Sequence, residues 1–148
     1  MIQRTRTRPI ILVLEDYTDT RQMLKLLLEG LDYAVLTAAT GKDALSAAAK
    51  NEIDLVLTDF NLPDMTGPNV VRRMRQLSSR LATIPVVMLT AFDGYEYEDL
   101  AYEAGCDAFL IKPPDFDILN ETIERLLSRA ERRTLKTEAT EEPSEVFR

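Results

Sequence analysis

Short apolar runs recur along the chain, and each stops at a turn or at a polar or charged residue. Residues 10–14 read Ile-Ile-Leu-Val-Leu and stop at Glu15-Asp16. Residues 33–38 alternate loosely between Gly30-Leu31-Asp32 and Ala39-Thr40-Gly41. Residues 55–57 lead through Thr58 to Asp59, and a turn containing Pro63 follows. Residues 85–89 end at Thr90-Ala91, and residues 108–111 end at Lys112-Pro113-Pro114. Runs this short, partly β-branched and bounded by turn residues, predict buried strands.

Between the runs the spacing changes to that of helices. Asp19 and Gln22 fit a capping box, Met23, Leu24, Leu27 and Leu28 give an apolar face, and Gly30 stops the helix. Thr40 is the expected cap of the next helix, with Asp43 at its third position. Ala44, Leu45, Ala47 and Ala48 give that helix a thin face able to lie close to a sheet. Pro68 suits a first helical turn, where its missing N–H costs nothing. Val70, Val71, Met74 and Leu77 form the buried stripe there, leaving Arg72, Arg73 and Arg75 as a solvated face. Asp93 is the expected cap of a helix carrying Leu100, Ala101 and Ala104, decorated by Tyr95, Tyr97 and Tyr102 and ended by Gly105. The last helix is expected to begin near Asp115, with Leu119, Ile123, Leu126, Leu127 and Ala130 as its stripe, and to run to about Arg133.

Strand followed by crossover helix implies parallel pairing with right-handed connections. The predicted fold is α/β, a doubly wound five-stranded parallel sheet in the order 2-1-3-4-5 with helices on both faces. One domain is expected over residues 10–133, between a flexible basic arm at 1–9 and a flexible acidic tail at 134–148. Ligands of such sheets bind at the carboxyl ends of the strands, near the switch point between strands 1 and 3. That edge gathers Glu15, Asp16, Asp59, Thr90 and Lys112.

Composition narrows what this edge can do. The chain of 148 residues carries a net charge of -7, which argues against direct binding of nucleic acid and suits a pocket that gathers a cation. It has no histidine, and so lacks the commonest general base and transition-metal ligand. Cys106 is its one cysteine, so no internal disulfide forms. No apolar run is long enough to insert in a membrane, and Arg4, Arg6 and Arg8 precede no secretory hydrophobic segment, so a cytoplasmic protein is expected. Neither a Walker phosphate loop nor a Gly-x-Gly-x-x-Gly run occurs. Three carboxylates and a main-chain carbonyl suit a hard divalent cation, Mg²⁺ above all. Asp59 is then a candidate carboxylate nucleophile, with Lys112 and Thr90 placed to meet phosphoryl oxygens.

The span from Ile10 to Ala130 resembles a response-regulator receiver domain of two-component signalling, in the layout of the single-domain chemotaxis type. The resemblance rests on Glu15-Asp16, Asp59, the turn with Pro63 and Gly67, Thr90-Ala91 and Lys112-Pro113, in that order and at successive strand ends. It implies that Asp59 accepts a phosphoryl group from the phosphohistidine of a histidine kinase or histidine phosphotransfer protein. It implies Mg²⁺ held by Glu15, Asp16, Asp59 and the carbonyl of Asn61, with Thr90 and Lys112 as phosphate contacts. A cis peptide between Lys112 and Pro113 is implied too. Phe109 matches the family's switch aromatic, which would follow Thr90 inward and alter the face of helix 4, strand 5 and helix 5 toward a downstream protein or a second copy. Glu15 departs modestly from the Asp common at its position, and Asn61 and Phe92 occupy the variable positions flanking the site. Such a domain catalyses its own phosphorylation and dephosphorylation while serving primarily as a switch. No effector segment is legible after Ala130, so a protein contact, a relay step or dimerisation is the expected output; a fragment of a hybrid kinase or larger regulator would read the same. Two alternatives carry different chemistry. One is a degenerate receiver that only binds proteins, against which the intact residue set argues. The other is a hydrolase of the haloacid-dehalogenase kind, which would place its nucleophile after the first strand in an Asp-x-Asp pattern; here that strand ends Glu15-Asp16-Tyr17-Thr18-Asp19.

Overall fold

A computed structural model describes residues 8–91 and 94–146, with side chains described through Leu135. Strands and helices alternate as β1 (Ile10–Leu14), α1 (Thr18–Gly30), β2 (Ala34–Ala38), α2 (Gly41–Lys50), β3 (Leu55–Asp59), α3 (Gly67–Arg75), β4 (Val86–Thr90), α4 (Tyr95–Ala104), β5 (Ala108–Ile111) and α5 (Phe116–Val146). The sheet is parallel throughout and ordered β2-β1-β3-β4-β5, as the alternation predicts.

Both faces of the sheet are covered, and the two-residue period of a strand divides the core between them. Leu12, Leu14, Val56, Val86 and Met88 point toward α2, α3 and α4, where Ala44, Ala48, Val70, Val71, Met74 and Ala101 meet them. Ile11, Val13, Leu55, Leu57, Val87 and Leu89 point the other way, toward Leu24 and Leu28 of α1 and Leu119, Ile123 and Leu126 of α5. Each fully buried Leu, Ile or Val contributes roughly 1.5–3 kcal/mol against exposure. Burial on both faces explains why the strands read as continuous apolar runs.

Thr40 caps α2 as expected, its Oγ1 accepting from Asp43 N at 3.1 Å. Pro68 stands in the first turn of α3. Gly105 ends α4 in the left-handed region at φ 106°. Asp115 Oδ1 accepts from the backbone N–H of Asp117 and Ile118 and so caps α5.

Other local expectations are corrected. The Asp19–Gln22 capping box does not form: α1 begins two residues earlier, with Tyr17 at the N-cap position and no side-chain cap bond. Tyr17 N–H instead donates to Glu15 Oε2 at 3.2 Å, so the preceding loop fixes the helix start. Helix α1 does end at Gly30 as expected, and the left-handed residue in the turn after it is Asp32, at φ 72°. Met23 and Leu77 are exposed, not buried in their stripes, because Met23 lies off the sheet side of α1 and Leu77 lies past the end of α3. Arg75 is not solvated; its guanidinium turns inward and donates to Leu81 O at 3.1 Å and Gly105 O at 2.6 Å. Tyr97 is partly buried, with its ring edge-on to Phe60 at 5.3 Å between centroids. The last helix continues past Arg133 to Val146. Its apolar stripe ends near Ala130, and continuation beyond the stripe needs only helix propensity. The expectations for residues 1–7, for Phe92 and for the Asp93 cap fall outside the described residues; the N-cap position of α4 is Gly94.

Candidate functional site

The carboxyl edge of the sheet is where chemistry-bearing side chains meet. Register puts Leu14 beside Thr58, Asp59 beside Leu89 and Thr90 beside Ile111, so four strands deliver their last residues to one rim. Glu15 follows β1 with its side chain buried, although Asp16 beside it is exposed. Asp59 is half-buried at the end of β3. One carboxylate oxygen from each of Glu15, Asp16 and Asp59 lies within 4.8 Å of the others. Like charges about 4 Å apart repel by roughly 4 kcal/mol at an effective dielectric near 20. The cluster therefore calls for positive charge.

Lys112 supplies part of it. Its Nζ donates to Glu15 Oε1 and, at 3.1 Å, to Asp59 Oδ2. Burial pulls the ammonium down, but Glu15 and Asp59 outweigh it and hold the Lys112 pKa above its ordinary value. Burial pushes the Glu15 carboxyl up, countered in part by Lys112 and by Tyr17 N–H. The other oxygen of Asp59, Oδ1, accepts from Phe60 N at 2.7 Å, so the carboxylate is fixed at both ends. Lys112 itself is anchored, since its backbone N–H donates to Thr90 O at 2.7 Å across β4 and β5. The Lys112–Pro113 peptide is cis, as expected.

The structure brings Glu15, Asp16, Asp59 and Lys112 together and arranges the other candidates around them. Thr90 is fully buried at the end of β4, the strand next to Asp59. Asn61 stands in the loop just after Asp59, in an isolated antiparallel bridge with Thr66. Phe109 lies deeper, paired with Met88 and partly buried on the side of α3 and α4. The donors around the cluster are hard oxygens, which fit Mg²⁺ and disfavour the softer transition metals.

Two supporting residues, Arg21 and Asp64, escape a reading of strand ends, and Gly67, already marked by its turn, gains a physical reason. Arg21 of α1 reaches back to donate to Glu15 O at 2.9 Å and Asp16 O at 3.3 Å, pinning the loop that carries the acidic pair. Its only trace in the sequence is a cation soon after two acids. Gly67 is a glycine for a steric reason: a Cβ there would lie 2.3 Å from Asp59 O. Asp64 reaches from the loop after β3 to the start of α2, where Gly41 N and Lys42 N donate to its two oxygens at 2.8 and 2.9 Å.

A family model described as "Response regulator receiver domain" matches residues 11–124. The chain belongs to the response regulator receiver family. This receiver is 40% identical over 114 residues to the sensor histidine kinase RcsC of Salmonella typhimurium, a match covering 77% of this chain and 12% of that protein. Among solved structures it is similar to the chemotaxis response regulator CheY4 of Vibrio cholerae, with 32% identity, a TM-score of 0.76 and coverage of 81% of this chain and 99% of that one. It is also similar to the receiver domain of the sensor histidine kinase PA1611 from Pseudomonas aeruginosa, with 25% identity, a TM-score of 0.76 and coverage of 82% and 99%. That domain carries a magnesium ion coordinated in its active site cleft. The similarity to RcsC spans only a small part of that kinase, while the similarity to receiver structures is nearly end to end. Among the described residues no helix is long and apolar enough to cross a membrane.

Proposed function

We propose that this receiver is a phosphoacceptor that takes a phosphoryl group from the phosphohistidine of a histidine kinase or histidine phosphotransfer protein onto Asp59. The observation that carries the reading is the convergence of Asp59 with Glu15, Asp16 and Lys112 on one rim. In the transfer an Asp59 carboxylate oxygen forms a bond to phosphorus as the phosphorus–nitrogen bond to the donor imidazole breaks. The imidazole nitrogen keeps that electron pair and takes up a proton from solvent, leaving an acyl phosphate. Glu15, Asp16, Asp59 and the carbonyl of Asn61 would hold Mg²⁺. When bound, the ion supplies two positive charges against the phosphoryl oxygens. Lys112 adds an ammonium group already beside Asp59, and Thr90 adds a hydroxyl donor. Phosphoryl transfer asks little of a protein beyond this positioning and charge.

The output would run through Thr90 and Phe109. Phosphorylation would draw the Thr90 hydroxyl toward the phosphoryl group, and the partly buried Phe109 ring would follow. The face of α4, β5 and α5 would then present a changed surface to a downstream protein or a second copy. Tyr95 and Tyr102 of α4 and Ile111 of β5 are exposed. We place the protein in the cytoplasm, with no direct contact to nucleic acid.

The test is incubation with Mg²⁺ and acetyl phosphate or a phosphorylated kinase, followed by intact mass and borohydride trapping of the modified residue. Wild type is expected to label stoichiometrically at Asp59, and a folded Asp59→Asn protein not at all. Labelling of the variant at another residue would defeat the site. A folded wild type that binds Mg²⁺ and accepts phosphate from no donor would be a degenerate receiver acting as a binding module.

A further inference from the structure

We propose that Asp64 is a positioning residue for the cation site, holding the Asn61 carbonyl in place through a clamp onto the start of α2. The inference rests on the reading above, in which Asn61 supplies a main-chain ligand. The loop from Phe60 to Gly67 is fastened at its base by Gly67 N–H, which donates to Phe60 O at 2.6 Å. Inside the loop, Leu62 N–H donates to Met65 O at 3.2 Å, and Asn61 bridges Thr66. These bonds close the loop on itself, but they do not fix it relative to the rest of the protein. Its tip is tied to the body by the two bonds from Gly41 N and Lys42 N to the Asp64 carboxylate.

Two further features show that this junction is close-fitting. A Cβ at Gly41 would lie 2.6 Å from Met65 Cγ and 2.7 Å from its Sδ, so the residue after Asp64 is seated directly on the helix start. Thr40 already caps α2 from its own side by bonding Asp43 N, leaving the two earlier N–H groups for the loop. A carboxylate is suited to them because it accepts two bonds at once and carries negative charge to the positive end of a helix. Asp64 contacts none of the reacting groups. Its effect on the cation would pass through the loop, as groups bonded to metal ligands tune metal affinity elsewhere.

The experiment is a Mg²⁺ titration of the full chain, followed by the backbone amide shifts of Asp16 and Asp59, with urea midpoints measured on the same proteins. Asp64→Ala is expected to bind Mg²⁺ about ten-fold more weakly, the low end of the loss seen for outer partners of metal ligands. Thr40→Ala is the control, since it removes the other cap from the same helix end without touching the loop. It is expected to lower the urea midpoint and leave Mg²⁺ affinity as in wild type. Asp64→Ala binding Mg²⁺ as tightly as wild type would overturn the proposal while leaving the phosphoacceptor reading intact. Equal weakening by Thr40→Ala would also overturn it, because the effect would then belong to α2 stability. A folded wild type that binds no Mg²⁺ would overturn both.

Discussion

The two ends of the sheet use charge in opposite ways. At the amino ends of the strands, Arg75 donates to Leu81 O, Ile84 O, Gly105 O and Asp107, while Asp107 also accepts from Val86 N at 2.8 Å and from Arg129. Asp54 accepts from Ile10 N at 2.8 Å and pairs with Arg80 at 3.6 Å. These charges sit on main-chain groups that the strands leave over where they begin, so they serve the fold. Cys106 shares this end, and burial pushes its thiol up to about 12, which keeps it inert. At the carboxyl ends, three carboxylates face one another across less than 5 Å with one ammonium among them. Side chains there face each other as well as the backbone, and the three carboxylates form a cluster that could hold a metal ion. The same sheet thus has one end where carboxylates meet backbone N–H groups and arginines, and one where carboxylates crowd one another around a single ammonium.

Arg75→Met gives the largest expected break in this comparison. Methionine keeps much of the volume but leaves three carbonyls and part of Asp107 without their donor. Arg75 and Asp107 are only 17% and 26% exposed, so solvent replaces little of what is lost. Removing one partner of a buried pair costs roughly 3–5 kcal/mol; a loss near 3 kcal/mol in the urea-unfolding free energy is expected because Arg129 still reaches Asp107. Mg²⁺ affinity should be unchanged, since the brace lies at the far end of the strands. A loss below about 1 kcal/mol, the scale of an exposed pair, would remove the distinction between the ends.

A change of opposite sign is expected at the other end. Asp16→Asn takes one charge from the acidic cluster and should stabilise the Mg²⁺-free protein by about 0.5 kcal/mol, the scale of interactions between exposed charges. Saturating Mg²⁺ should then raise the melting temperature of wild type and leave the variant nearly unmoved. Equal Mg²⁺-induced stabilisation of both proteins would take Asp16 out of the cation site.

What the sequence makes legible follows from how each feature is encoded. Asp59, Thr90 and Lys112 are visible because each ends an apolar run, and in a parallel sheet the run's end is also its place on the rim. Glu15-Asp16 is visible for the same reason. Arg75 is hidden because its partners are three carbonyls from two loops, and a carbonyl has no residue-type signature. From spacing alone Arg75 looks like Arg72 and Arg73, yet one arginine braces the fold and Arg72 donates to Asn69 on its own helix. Tyr97 is hidden for a related reason, since the tyrosines of α4 look alike until Phe60 is known to stand opposite one of them. The Asp19–Gln22 box fails because a local signal lost to bonds made by Glu15 and Arg21 in the loop before it.

Asp64 sharpens the comparison, because it stands at the ligand end but is bonded as the carboxylates of the amino end are. Bonds from Gly41 N and Lys42 N hold its pKa below the ordinary 3.8. Between that native value and the unfolded one, the unfolded chain binds more protons, so stability rises with pH across the window. The contribution is fully present above the unfolded value and is lost as pH falls through the native one. Asp64→Asn removes the titration and one of the two acceptor oxygens. Wild type should therefore have the higher urea midpoint near neutral pH, and the gap should close as pH is taken well below 3.8. This is the smallest effect of the set, since the residue is exposed. A gap that persisted unchanged at low pH would mean that shape, and not the charge on two N–H groups, holds the loop to α2. What separates the carboxylates would then be their position on the sheet; a gap that closes assigns the difference to whether a carboxylate faces backbone N–H groups or other carboxylates.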